Sequence, residues 1–334
     1  MFASRALTGL LLATSMAAEA ATYQLTDISA HDGTHVGINR HGAVTSAVRI
    51  VNDYHAYVFE DGNLRLLEAA GPSNFGNAIN DRGDVAGECQ GRQEHRTKAC
   101  IWTTVGLRKF KGLFGNYMVT VDGINNARQV AGSTYVNLGD VHPYRYDNGV
   151  VTDLGTLGGT GGYASGINKA GHVSGYSLIA RNNSHYHAFI HDGSQMKDLG
   201  TLRGGTSIAY GLNDADVAVG TSDLKDHESH AVIFEDGQVR DLGTLGGSNS
   251  AALAINNRGV IVGRSDTKTP GRVRGFIYRD GRMTELDNHL DPLSGTGWTV
   301  TEAAGVNDRG EIVALGYHED RPTFLRVLML TPME

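Results

Sequence analysis

The sequence has little of what several common protein classes require. Charged residues make up only 19% of its 334 residues, and no segment concentrates Lys and Arg. A chain without a basic cluster lacks the counterpart of a phosphate backbone, so we expect no nucleic-acid partner. Beyond the first twenty residues no apolar run reaches the roughly 20 residues of a membrane-crossing helix, and no membrane span is predicted.

Recognisable catalytic motifs are also missing. The chain contains no G-x-S-x-G, no P-loop and no H-E-x-x-H, the patterns that place a nucleophile, a phosphate or a zinc ion on a fold. Its GTLGG segments precede strands rather than helices and lack the P-loop lysine. We therefore predict no cofactor and no metal. A polysaccharide lyase needs only a His or Tyr base and a charge neutraliser, so this absence does not exclude that enzyme.

Only two cysteines occur, Cys89 and Cys100. They flank a polar loop between two predicted antiparallel strands, where side chains can face one another. An oxidising compartment would favour a disulfide between them, and the alternative is two thiols out of register.

The first twenty residues have the composition of a secretory signal peptide. Arg5 is followed by a short apolar segment and by the small-x-small sequence Ala18-Glu19-Ala20. We predict a signal peptide over residues 1–20 and a single domain over residues 21–334. The mature chain should be exported, either secreted or periplasmic.

A repeat with a period of 41 to 51 residues is the strongest feature present. Its marker is a small residue, an apolar residue and an asparagine, found at Asn39, Asn80, Asn125, Asn168, Asn213, Asn256 and Asn307. Between markers the pattern alternates with a period of two, interrupted by Gly-rich and Asp-Gly turns, which indicates four short strands per copy. No stretch of ten or more residues has a helical period.

Four strands every 40 to 50 residues is the spacing of propeller blades. Residues 23–28 match the fourth strand of a copy, whereas the C-terminal copy ends after its third. The sequence thus predicts an all-β, seven-bladed β-propeller with four antiparallel strands per blade, whose last blade is closed by the N-terminal strand. A longer connection, residues 285–298, either overhangs the ligand-binding face or is a surface loop of altered length.

The repeat resembles a known family in its details. The combination of His187-Ala188-Phe189, the DLGTLGG loop of residues 241–247, the Ile-Asn turn and Gly-x-Val-x-Gly-x-Ser is similar to the HAF extracellular repeat family of exported bacterial proteins. The resemblance is densest in the fourth to sixth copies and implies export and a repeat architecture. It implies no activity that can be assigned to particular residues.

Candidate ligand-binding residues are those that break the repeat near the predicted channel. Small residues precede most Asn markers, so the large or polar exceptions Tyr163, Tyr210, Asp122 and Glu302, with Asn77 and His35, are candidate contacts or mere channel filling. His185 and His227 lie in His-rich loops of adjacent copies. Together these loops could bind a metal ion, but the spacing of their histidines matches no strong metal-binding pattern.

A basic or imidazole residue opens the third strand of every copy: His55, Lys98, His142, His187, His230, Arg274 and Arg321. These side chains either form a positive crown for an anionic glycan or donate to a backbone carbonyl of the neighbouring Gly-rich loop. Repetition in every copy favours the second interpretation.

The function these features favour is binding. We expect a monomeric, exported propeller that recognises an extracellular polysaccharide or a protein partner through its loop face, with no catalytic residue assigned. The alternative is a polysaccharide-degrading, lyase-type enzyme using His or Tyr at the channel mouth.

Overall fold

The computed structural model describes residues 22–30, 35–69, 71–90, 97–113, 119–203, 205–224 and 228–333. The predicted signal peptide lies outside these residues. Among the helices within these ranges, none is long and apolar enough to cross a membrane.

The chain forms strands in groups of four, which we number as units in chain order. Unit 1 contains β2 to β5, at Gly37–Ile38, Val44–Ile50, Asp53–Glu60 and Asn63–Leu66. Unit 2 contains β6 to β9, at Ser73–Ile79, Val85–Gln90, Thr97–Thr103 and Gly106–Phe110. Unit 3 contains β10 to β13, at Gly123–Ile124, Val130–Tyr135, Val141–Asp147 and Val150–Asp153.

The remaining units have the same order of elements. Unit 4 contains β14 to β17, at Gly162–Ile167, Val173–Leu178, Tyr186–His191 and Met196–Asp198. Unit 5 contains β18 to β21, at Ser207–Leu212, Ala218–Asp223, Ser229–Glu235 and Gln238–Asp241. Unit 6 contains β22 to β25, at Gly246–Ile255, Ile261–Thr267, Val273–Arg279 and Arg282–Glu285. Unit 7 contains β26 to β28, at Trp298–Val306, Ile312–His318 and Arg326–Pro332, together with β1, Tyr23–Ala30.

Units 3 to 7 are separate four-stranded sheets, and units 1 and 2 belong to one eight-stranded sheet. A single parallel pairing, Tyr54 with Ser73, joins those two units. Strand pairs within each unit are antiparallel. The prediction of an all-β fold built from four-stranded sheets is confirmed.

The N-terminal strand completes unit 7, as predicted. β1 pairs antiparallel with β28 from Tyr23 opposite Pro332 to Ala30 opposite Arg326. Tyr23, Leu328 and Leu330 are almost fully buried in the core that this unit shares with unit 6. The strand absent at the C-terminal end is therefore supplied by the N-terminal one.

The hydrophobic core lies between consecutive units rather than in one central mass. Val219 and Ala231 of unit 5 pack against Ala252, Ile255 and Phe276 of unit 6. Alternation along each strand sends every second side chain into one of these layers. Glycine permits close approach: a Cβ on Gly220 would overlap the carbonyl oxygen of Ile208. This steric need explains the central Gly of the Gly-x-Val-x-Gly-x-Ser motif.

The repeated asparagine is the side chain that connects neighbouring units. Each Asn Oδ1 accepts from backbone N–H groups of its own turn, as Asn256 does from Arg258 and Val260 at 3.0 Å. Each Nδ2 donates to the carbonyl oxygen of the next asparagine, at 2.8 to 3.4 Å, in the order Asn39, Asn80, Asn125, Asn168, Asn213, Asn256, Asn307 and back to Asn39. We call this closed set the asparagine ring.

The predicted disulfide is confirmed. Cys89 on β7 and Cys100 on β8 are bonded, with their Cα atoms 6.0 Å apart. Both residues are buried in the core between units 1 and 2, beside Trp102 and Ala56. The bond therefore contributes to packing as well as crosslinking the hairpin.

The long connection between units 6 and 7 is attached to the N-terminal strand. It contains a 3-10 turn, Leu286–His289, and a short helix α1, Pro292–Gly295. Asp291 donates its backbone N–H to the carbonyl of Tyr23 at 2.8 Å, and Ser294 Oγ accepts from the N–H of Leu25 at 3.0 Å. This segment holds the outer edge of β1 in place.

Candidate functional site

The first strands of the units surround a central channel, and they share an irregularity that exposes side chains to it. In five units the pairing with the second strand skips one residue: Asn77, Ser165, Tyr210, Leu253 and Ala304. A bulge of this kind re-aims the extra side chain. Asp122 and Val36, at the same position before the asparagine in units 3 and 1, also line the channel.

A second set of lining residues comes from the second strands. Tyr176, Arg264 and Leu315 occupy equivalent positions on β15, β23 and β27 and face the same cavity, whose volume is about 720 Å³. Glu88 takes that position on β7. The two sets together surround the channel with side chains that differ from unit to unit.

One side of the channel carries two carboxyl groups. Asp122 Oδ2 accepts from the Thr120 hydroxyl at 2.9 Å, and that hydroxyl in turn accepts from the Ser133 N–H at 2.9 Å. The backbone N–H of Val121 donates to Glu88. Asn77 Nδ2 donates to the carbonyl of Val121 at 2.9 Å. Two side chains of unit 2, Asn77 and Glu88, therefore bond the Val121 backbone beside the Asp122 carboxyl group.

Both carboxyl groups have a pKa well above that of an exposed carboxylic acid. Burial raises the pKa of Asp122 to about 7, and the Thr120 hydroxyl only partly opposes this. Burial, reinforced by the negative charge of Asp122, raises the pKa of Glu88 to about 7, while His35 and the Val121 N–H act in the opposite direction. Two adjacent buried carboxyls resist double ionisation because each destabilises the charge on the other.

Aromatic side chains occupy the adjoining side of the channel. The rings of Tyr163 and Tyr176 are stacked with centroids 5.2 Å apart, and Tyr186 meets Tyr176 edge-on at 5.4 Å. Tyr210 lines the channel beside them. Burial raises the pKa of Tyr163 and Tyr210, and raises that of Tyr176 to about 12. These phenols stay protonated at neutral pH and present apolar faces with a polar edge.

The third side carries an ion pair between units 6 and 7. Arg264 Nη1 lies 3.0 Å from Glu302 Oε2, and both side chains line the channel. The arginine is about half exposed, so the pair is accessible from the cavity.

The structure brings four of the six predicted ligand-binding residues to this region and places His185 elsewhere. Asp122, Tyr210 and Glu302 line the cavity, and Tyr163 stacks on a lining residue. His185 is exposed in the loop before β16, where its ring covers Gly205, so it is not a channel residue. His227 lies outside the described residues.

Sequence reasoning missed Glu88, Tyr176 and Arg264. All three stand one residue before the end of the repeated second-strand motif, at the x of Gly-x-Ser or its equivalent. Comparing that single position across the copies would have identified them, because it varies while its neighbours repeat. The sequence therefore contains the information needed to find these three residues.

The residues that open the third strands have different partners from those predicted. His142, His187 and His230 place Nδ1 within 2.8 to 2.9 Å of Asp153, Asp198 and Asp241, on the fourth strand of the same unit. The predicted backbone carbonyl of a neighbouring loop is not their acceptor. In unit 7 the equivalent residue is Arg326, paired with Asp27 of β1 at 2.9 Å, rather than Arg321. These pairs tie the outer strands together.

Within the described ranges, no group of three or more His, Cys, Asp or Glu residues is arranged to hold a metal ion. His187 and His230 are already engaged by their aspartates. Asp226, part of the His-rich loop considered above, falls outside those ranges together with His227.

Comparison with known structures identifies the fold. The β-propeller domain of the Trilobed protease from Pyrococcus furiosus matches with a TM-score of 0.59 at 10% identity, covering 93% of this chain and 94% of that one. Oligogalacturonate lyase in complex with manganese matches with a TM-score of 0.55 at 12% identity, covering 94% and 98%. TolB from Acinetobacter baumannii gives a TM-score of 0.48 at 14% identity, covering 93% and 97%.

No family model matches the sequence, and the search of curated proteins returns no match. At identities this low the structural similarity shows a β-propeller and nothing about activity.

Proposed function

We propose that this chain is an exported, monomeric seven-bladed β-propeller that binds an extracellular polysaccharide at the mouth of its central channel. Counting each four-stranded unit as one blade gives seven, and the closed asparagine ring supports that count. The buried disulfide supports export to an oxidising compartment. We also propose that the chain is a member of the HAF repeat family, which its repeat resembles.

The observation that carries the binding proposal is the cavity of about 720 Å³ on the channel axis. Its size lies within the range of small-molecule sites. Seven copies could line it with small residues alone, yet Tyr176, Tyr210, Asp122, Arg264 and Glu302 all break the repeat there. Tyrosine faces suit the apolar face of a sugar ring, while carboxylate and guanidinium groups suit its hydroxyls.

The lyase alternative is less well supported by this geometry. A tyrosine base requires a lowered pKa, whereas burial raises the pKa of Tyr163, Tyr176 and Tyr210. His185 is outside the cavity, and the imidazole that lines it is His35.

The test is binding of a panel of neutral, acidic and amino-containing oligosaccharides to residues 21–334 and to Tyr210→Ala. We expect the variant to bind its best ligand at least about tenfold more weakly, the loss typical of an aromatic contact. Tyr54→Ala, a change outside the channel lining, is the matched control. Unchanged affinity in Tyr210→Ala would contradict the proposal, and new ultraviolet absorbance from unsaturated products would favour the lyase.

A further inference from the structure

The carboxyl side of the channel has more acceptors than donors. Asp122 receives one hydrogen bond, from Thr120, among the described side chains, and Glu88 receives one from the Val121 backbone. Each carboxylate offers about four lone-pair sites, so most of their accepting capacity is unused.

Asn77 provides a second and independent sign of a missing donor. Its side chain lines the cavity and is 7% exposed. Its Nδ2 donates to Val121, which fixes the amide orientation, while its Oδ1 is buried with no hydrogen-bond partner among the described residues. An unpaired buried acceptor is costly, so its presence beside two carboxyl groups requires an explanation.

We propose, on the premise of the carbohydrate-binding function above, that the ligand is an amino sugar whose protonated primary amine binds on the Asp122, Glu88 and Asn77 side of the channel. An ammonium group supplies three donors and a positive charge to a site whose acceptors outnumber its donors. Tyr176 and Tyr210 add aromatic faces, which attract cations.

Two competing ligand classes fit less well. A divalent metal ion needs several anionic or imidazole ligands, and the described part of the chain holds no cluster of three. A neutral sugar hydroxyl supplies a single donor and no charge to a carboxyl pair. Among the described residues that line the cavity of about 720 Å³, the one arginine is Arg264. It is engaged by Glu302, so it does not neutralise the carboxyl side.

The protonation behaviour of the pair supports an ammonium ligand. Both carboxyl groups have their pKa raised to about 7 in the unliganded protein, and a bound cation would lower both and expel protons. The other titratable groups facing them are His35, Tyr144 and Tyr176. The two tyrosines stay neutral in this range, which leaves His35 as the group to control with His35→Gln.

The experiment is isothermal titration of a glucosamine tetrasaccharide and of its N-acetylated counterpart, in which each charged amine is replaced by a neutral acetamide. Asp122→Asn and Glu88→Gln keep the shape of each side chain and remove its charge. We expect the amine ligand to bind the wild-type chain at least about tenfold more tightly than the acetylated one, and each variant to reduce that preference by about tenfold. Asp214→Asn, an acid at the far mouth of the channel, should change neither affinity.

Proton release is a further readout that a purely structural role would not affect. Binding heats of the amine ligand in buffers of different ionisation enthalpy should show protons leaving the site near about pH 6.5, and affinity should rise as the pH increases from about 5.5 to about 7.

Equal affinity for the two ligands, or a preference unchanged in Asp122→Asn, would overturn the amine assignment and leave the carbohydrate proposal standing. Failure of every oligosaccharide to bind would overturn both. Thermal unfolding of each variant establishes that a lost preference comes from a folded protein.

Discussion

At the scale of single residues, Asp122 and Glu88 carry the most unusual chemistry of the chain. Other copies of the repeat place Ser165 or Tyr210 where unit 3 places Asp122, and Tyr176 or Leu315 where unit 2 places Glu88. The fold therefore tolerates neutral side chains at both positions. The carboxyl groups reduce stability when ionised, which suggests that they are retained for function.

This cost predicts a specific dependence of stability on pH. In an unfolded chain these groups have their ordinary pKa values of 3.8 and 4.5, whereas the folded protein holds the protons up to about pH 7. The folded state thus binds more protons between those values, so the free energy of unfolding attributable to the pair should fall as pH rises from about 4 to about 7, by an amount of the order of 2 to 4 kcal/mol.

Urea unfolding of the wild type and Asp122→Asn across this range tests the dependence. The variant should lose a large part of the downward trend and be more stable than the wild type above about pH 7. Asp61→Asn, in an exposed hairpin turn, should reproduce the wild-type trend. A wild-type trend that survives intact in Asp122→Asn would show that another group causes it.

At the scale of elements, the turn between the first and second strands of each unit is joined to the next unit through its asparagine side chain. One amide caps its own turn and also bonds to the next unit, so each turn is completed by its neighbour. The turn residue before the second strand takes a positive φ, usually as glycine, with Arg128 and Asp216 in units 3 and 5 at φ 64 and 61. Two non-glycine residues therefore accept a strained conformation to keep this geometry.

Replacing one of these asparagines should have an effect out of proportion to its size. Asn256→Ala removes two hydrogen bonds within the turn and one to Asn307, at a residue that is 4% exposed. We expect a loss of about 2–4 kcal/mol in the free energy of unfolding, because buried donors and acceptors are left unpaired. Asn63→Ala, at the exposed first residue of β5, should cost less than about 0.5 kcal/mol. Equal losses in the two variants would contradict this role.

At the scale of the whole molecule, closure depends on a strand from the opposite end of the chain. β1 covers β28, whose Val327, Leu328 and Leu330 are fully buried. The segment between units 6 and 7 holds β1 from the other side, and Arg326 pairs with Asp27 across the junction. An exposed β28 would be an unpaired sheet edge, prone to pairing with other chains.

A chain beginning at residue 35, without β1, should therefore be markedly less stable and should self-associate at micromolar concentrations. A peptide of residues 22–30 should restore the melting temperature in a concentration-dependent manner, as expected for a ligand that binds only the folded state. A peptide with Leu25→Asp should fail, because Leu25 lies in the core. A truncated chain as stable as the full one would show that β1 is dispensable for closure.

The sequence by itself determined the period of the repeat, the four strands of each copy and the closing role of residues 23–28, and it favoured a disulfide between Cys89 and Cys100. These features depend on residues close in the chain or on a pattern repeated seven times, so alternation and spacing are enough to reveal them. Only the tertiary structure decided that Glu88 lies beside Asp122, that Arg326 rather than Arg321 faces Asp27, and that the long connection holds β1. The contact between Glu88 and Asp122 depends on how far one sheet is rotated against the next. The pairing of Arg326 with Asp27 depends on the bulge in β1 that follows Asp27. Such rotations and bulges are set by packing in the folded chain rather than by local sequence.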